Sequence, residues 1–163
     1  MDVLSIFARI GYIGFVGLAL LGATALFAWT KGGAAERGGT LVYAVAWLGV
    51  LIYELVTGDS FPVVPILMLD AGVALAFLAL AIRYNSLWLG GAMILQGLGL
   101  GLHAAYLTDL DNPEIFLFYT YALGINLVSF GILVLLIVGT AITMVDLRRH
   151  RRVVMTDAPL LVA

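Results

Sequence analysis

The chain contains no cysteine. That absence excludes disulfides, thiolate metal sites, cysteine nucleophiles and cysteine-held iron–sulfur clusters. Charge is also scarce: Asp, Glu, Lys and Arg supply 11% of the residues, and the formal net charge is −2. No Lys/Arg-rich patch exists outside the C-terminal arginines, which argues against nucleic acid as a partner. Histidine occurs only at His103 and His150. There is no nucleophile–base pair, phosphate-binding glycine loop, CxxC or HExxH, so an enzymatic reading lacks its parts.

Apolar residues fill the space that these absences leave. They make up 63% of the chain, and the mean hydropathy is +1.12. A membrane crossing takes ~20 apolar residues, so about five crossings consume the length and leave no soluble domain. Spans are predicted at 10–29, 40–57, 62–82, 87–108 and 114–145. The expected fold is therefore all-α, an integral membrane bundle of five transmembrane helices forming a single domain over 1–152. A short tail over 153–163 follows.

A glycine-rich polar loop is expected over 31–39, and the second span stops at Gly58-Asp59-Ser60. Pro62 and Pro113 suit the first turns of the third and fifth helices. Asp111 or Asn112 suits the N-cap of the fifth, with Glu114 favourable beside its N-terminal dipole. The fifth run would be roughly 48 Å long against a ~30 Å hydrocarbon core. One continuous helix running into the arginine cluster is expected, with Phe116, Phe118, Tyr119 and Tyr121 as an interfacial aromatic belt.

The basic residues alternate along the chain. Lys31 and Arg37, then Arg83, then Arg148, Arg149, Arg151 and Arg152 occupy every second inter-helix segment. The intervening segments hold only acids: Asp59, then Asp109, Asp111 and Glu114. Under the positive-inside rule the basic segments face the cytoplasm, giving an N-out, C-in topology in a bacterial inner membrane. Arg9 is the exception and can snorkel to the outer interface. The first apolar run is read as a retained helix rather than a signal peptide, because its positive charge follows the run instead of preceding it.

Ionisable groups inside spans are functional candidates by default. Glu54, Asp70 and His103 all fall in the outer half under this topology. Gln96, seven residues before His103, shares its helix face, and Asn126 lies inside the fifth span on a face with Tyr119 and Ser129. In one bundle these groups converge on a buried polar site that binds a cation or relays protons. The plainer alternative is that Asp70 and His103 satisfy one another, or bond Gln96, Asn126 and tyrosine hydroxyls as interhelical glue. Glu54, near the interface, is expected to be mostly solvated. His150 belongs to the tail surface. One histidine within a span cannot give bis-histidine haem ligation in a single chain, and a zinc site lacks its usual three or four ligands. No cofactor is indicated. A haem in a dimer, a quinone or a pigment stays open.

Small residues line two spans. Gly97 and Gly101 form a GxxxG extended by Ala105, and the first span carries Gly11, Gly14, Gly17 and Gly22. Such faces let helices approach closely. Packing inside the bundle is expected, with docking against another subunit as the alternative.

The stretch Leu69-Asp70, then Ala81-Ile82-Arg83-Tyr84-Asn85-Ser86-Leu87-Trp88, then Gln96 and His103-Ala104-Ala105 resembles a group of small, uncharacterised multi-spanning inner-membrane proteins of alphaproteobacteria. The resemblance covers about half the chain. It marks Asp70, Arg83, Trp88, Gln96 and His103 and implies no activity. A second proline–tryptophan element is lacking here.

The leading functional expectation is a non-enzymatic accessory or stabilising subunit of a larger membrane complex. Its partners would be the lipid bilayer and other membrane subunits or itself. The alternative is a small proton- or ion-coupled carrier or ligand-binding membrane protein built on Asp70 and His103. A membrane enzyme using these two as acid and base ranks third.

Overall fold

A computed structural model describes residues 3–58, 63–108 and 115–157. It contains five helices: α1 (Val3–Lys31), α2 (Ala34–Thr57), α3 (Val63–Tyr84), α4 (Leu87–Thr108) and α5 (Ile115–Asp157). Every one of them carries a stretch long and apolar enough to cross a membrane. The described residues form no strand. The protein is thus an all-α, multi-pass membrane bundle. Asp59, Pro62, Asp109, Asp111, Asn112, Pro113, Glu114 and the tail after Asp157, on which several sequence expectations fall, lie outside the described residues.

Each helix packs against its neighbours in the chain, and α5 returns to pack against α1. The bundle is therefore a closed ring in chain order, with α2 also touching α5 across it. Contacts at one end fix the antiparallel alternation. Gly38 at the start of α2 meets Leu80 near the end of α3, and Gly139 of α5 meets the Trp88 indole at the start of α4. Lys31, Arg37, Arg83, Arg148 and Arg149 all belong to this end, called the basic end below. Arg151 and Arg152 continue α5 beyond it.

The α1–α2 connection differs from expectation. The predicted polar loop over 31–39 shrinks to Gly32 and Gly33, and α2 already begins at Ala34. Glu36 explains the early start. Its Oε2 accepts the Gly33 N–H at 2.7 Å, satisfying one orphan donor of the first turn. Its Oε1 accepts the Thr143 hydroxyl at 2.7 Å, tying the turn to α5. Gly38 and Gly39 sit inside the helix because neighbours use the space: Leu89 and Leu136 close over Gly39. The α3–α4 turn is equally short. Asn85 adopts φ 48, the left-handed conformation common just past a helix end, and the Ser86 N–H bonds the Ala81 carbonyl at 3.1 Å. Helix α2 ends at Gly58, with φ 72 and its N–H on the Glu54 carbonyl at 3.0 Å.

The packed core lies from mid-bundle to the basic end. Phe77, Leu89, Leu133 and Leu136 are completely or almost completely buried there, with Tyr43 and Val73 beside them. Its polar members are satisfied locally: the Thr24, Thr40 and Thr140 hydroxyls donate to carbonyls four residues back. The outer surface is the reverse. Leu87 at 93%, Val56 at 80% and Ile82 at 74% are far more exposed than a water-facing protein tolerates in such numbers. This is the surface of a chain whose solvent is lipid. Helix α5 remains helical over 43 residues. It therefore runs on for about four turns past Thr143, which is level with the start of α2.

Gly97, Gly101 and Ala105 do not pack inside the ring. All three are exposed, and a Cβ added at Gly97 or Gly101 would meet nothing. Close approach inside the bundle occurs at other glycines: Gly17 under Trp47, Gly124 under Leu102, and Gly139 under Trp88. The expectation of internal packing at the GxxxG fails because α4 turns that stripe outward, and Gln96 and His103 inward.

Candidate functional site

Opposite the basic end the ring does not fill. A cavity of about 350 Å³ lies there, and all five helices line it. Gly14 and Leu18 come from α1, Asp70 from α3, Gln96 from α4 and Asn126 from α5, while α2 supplies the longest wall, from Tyr43 to Leu55. Seven α2 positions reach the cavity because they recur at the three- and four-residue spacing of one helix face.

Asp70 is the cavity's link to a buried chain of polar groups. Its Oδ2 lies 3.0 Å from His103 Nε2, and the Tyr121 hydroxyl lies 2.7 Å from His103 Nδ1. The His103 side chain is 1% exposed, whereas that of Asp70 is 21% exposed. Three helices thus hold one chain, Asp70 (α3)–His103 (α4)–Tyr121 (α5), with the carboxylate at the cavity wall and the imidazole sealed behind it. The partners fix the tautomer of the neutral ring. When Tyr121 donates to Nδ1, Nε2 carries the proton and donates to the Asp70 carboxylate. Tyr121 is held in turn by Tyr106, whose ring stacks on it with centroids 4.5 Å apart.

The sequence candidates thus land in three places. Asp70 and His103 are bonded to each other. Glu54, Gln96 and Asn126 line the cavity beside them without a bond to His103. Glu54 is partly exposed. Asn126 anchors its amide by donating from Nδ2 to the Ala122 carbonyl at 2.8 Å, which leaves Oδ1 as its acceptor. Tyr119 and Ser129, placed with Asn126 on one face, do not join it. Tyr119 is 67% exposed, and the Ser129 carbonyl accepts the Tyr43 hydroxyl at 3.1 Å. Both His103 ring nitrogens are engaged by protein, so neither is offered as an axial ligand in this arrangement.

Three functional residues escaped the sequence reading. Tyr121 was grouped with an aromatic belt, yet it is 4% exposed and bonded to His103. A signal for it existed: Tyr121, Ile125, Val128, Ile132 and Leu136 follow the three–four spacing of one inward face. Tyr43 and Trp47, one turn apart, form an aromatic side of the cavity. Nothing in an apolar span distinguishes them from ordinary packing residues.

Comparison with protein-family models, curated proteins and solved structures finds no match to this chain.

Proposed function

We propose that this protein is a small ligand-binding membrane protein of carrier type, with the cavity as its binding site. One observation carries this reading: a cavity between the helices, lined by every one of them, has an intramembrane carboxylate at its wall and a buried histidine–tyrosine pair behind it. Structural glue requires the pair alone. It does not require a hollow of about 350 Å³ beside it. That volume lies at the lower end of the roughly 300–1,000 Å³ range of small-molecule sites, and the mixture of apolar walls with a few converging polar groups is what such sites use. With the basic end in the cytoplasm under the positive-inside rule, the cavity lies in the outer half of a bacterial inner membrane.

The test is native mass spectrometry on the protein extracted from its own membrane in mild detergent. A bound small molecule is expected on the wild type and absent from Leu18→Trp and Val50→Trp, which fill the cavity from two sides. Retention of the molecule in both variants would place it elsewhere and sink the reading.

The outward stripe of Gly97, Gly101 and Ala105 favours a second reading, that of an accessory subunit, because small residues facing lipid with open space above them suit a helix from another chain. Defined partner chains in the same spectrum support it.

A further inference from the structure

The cavity is chemically one-sided. Among the described residues it is lined by two carboxylates, Asp70 and Glu54, the latter already engaged by another group, and two carboxamides, Gln96 and Asn126, but by no Lys or Arg. Gln96 adds an observation independent of the acids. It is 3% exposed, lines the cavity, and its carboxamide makes no hydrogen bond to any described residue. The carboxamide faces the cavity, where an occupant can supply the partner that the described residues do not. Tyr43 and Trp47 supply aromatic surface, which attracts cations in water-poor surroundings.

Resting on the binding role proposed above, we propose that the occupant is a small organic cation, an ammonium on an apolar body, and that its docking on Asp70 releases a proton from the Asp70–His103 pair. When His103 holds a second proton, Nε2–H donates to Asp70 and Nδ1–H donates to the Tyr121 hydroxyl. A ligand cation drawn to the same carboxylate competes with the imidazolium. The Nδ1 proton passes to the Tyr121 hydroxyl, which releases its own proton toward solvent and is left donating to Nδ1, and the site keeps its net charge: one cation enters and one proton departs.

Among the described residues, few titratable and charged groups lie around His103. Asp70 faces it from α3 and Tyr121 from α5, with Tyr106 on its own helix stacked on Tyr121. From α2, Tyr43 and Glu54 line the adjoining cavity, and the α1 lining residues, Gly14 and Leu18, do not titrate. Histidine is the member of this set that ordinarily changes charge near neutral pH.

The test is equilibrium dialysis of labelled benzyltrimethylammonium against the full chain in maltoside micelles. Binding is expected to tighten as pH rises, by up to ~tenfold per pH unit where a full proton is released, and the same proton should appear in weakly buffered solution. Asp70→Asn should weaken binding by about tenfold or more, since it removes the counter-charge. His103→Phe should lose both the pH dependence and the proton release, whatever affinity it retains. Where that variant does not fold, the wild-type proton count decides alone.

Nanodiscs separate the ligand's source. Weaker probe binding in phosphatidylethanolamine than in a galactolipid, both of zero net charge, identifies a lipid ammonium headgroup as the natural competitor, and equal binding identifies a free amine. Binding of neopentylbenzene, the uncharged isostere, as tightly as the ammonium overturns the proposal. So does pH-independent binding without proton release. An uncharged native molecule that Leu18→Trp expels also overturns the cation assignment and leaves the binding role standing. A cavity that holds nothing in either assay overturns the binding role itself.

Discussion

The two ends of this bundle are built from the same apolar alphabet and solve opposite problems. At the basic end, glycines admit neighbouring side chains, threonine hydroxyls bond their own helices, and the buried Glu36 spends both carboxylate oxygens on Gly33 and Thr143. At the opposite end a cavity persists, the Gln96 amide has no hydrogen-bond partner among the described residues, and Asp70 engages His103 at the cavity wall. Helices in lipid gain no hydrophobic energy by associating, so contact and internal hydrogen bonds must hold the ring. The basic end supplies most of these, the buried Ser86 hydroxyl in the α3–α4 turn being an exception. The open end forgoes part of them, and a stable fold tolerates such a deficit most readily where the vacancy serves a purpose.

The widest separation of the two ends comes from core truncation. Phe77→Ala removes a completely buried ring whose centroid lies 6.3 Å from that of Tyr43. It should cost about 3–5 kcal/mol. Unfolding in mixed micelles with increasing sodium dodecyl sulfate measures the loss. Leu18→Trp at the open end should cost little by the same assay, because it fills space already vacant. Equal losses would mean that the two ends are equally packed in the membrane.

The Glu36 clasp ranks next. Glu36→Ala leaves the Gly33 N–H and the Thr143 hydroxyl without their acceptor, and hydrogen bonds to charged groups contribute about 1.5–3 kcal/mol. A double-mutant cycle with Thr143→Val should return a coupling of about 0.5–3 kcal/mol, since the two residues touch. Additivity of the two variants would remove the clasp as a reason for the tightness of the basic end.

Part of this division was legible in the sequence and part was not, for a common reason. The five crossings announce themselves because a bilayer demands a run of fixed length, and Asp70, Gln96 and His103 stand out because polar atoms inside such a run are expensive. Every face of a membrane helix is apolar, however, so periodicity barely separates inward from outward. Gly139, which accepts the Trp88 indole, and Gly97, which faces open space, look alike on the page. Tyr121 and Tyr119 sit two residues apart in the same aromatic cluster, yet one is buried on His103 and the other is exposed. Glu36 was hidden by the glycines around it, which read as loop although Gly33-x-x-Glu36 has the spacing of an N-terminal cap.

Gln96→Leu tests the open end with the opposite sign. Replacing an unbonded buried amide with an apolar group of similar size is neutral or stabilising, by at most ~1–2 kcal/mol. The same change should weaken binding of benzyltrimethylammonium, because it removes from the cavity wall a carbonyl dipole whose negative end faces the cation. Stability gained while binding is lost marks a residue kept for an occupant. A substantial loss of stability would instead mean that Gln96 has a partner in the membrane, and the contrast between the ends would narrow.

The smallest effect belongs to the outward stripe. Gly97→Leu and Gly101→Leu place side chains where an added Cβ meets nothing, so the isolated bundle should change by no more than ~0.5 kcal/mol. That near-silence makes the pair informative. If the protein acts alone, both variants bind the probe and migrate as the wild type does. If another chain lies against α4, the leucines push it away, and co-purifying subunits disappear while unfolding and ligand binding stay constant. Loss of bundle stability would show that these glycines pack inside the ring after all. The variants therefore separate a surface that meets only lipid from one that meets protein, without disturbing either end of the bundle.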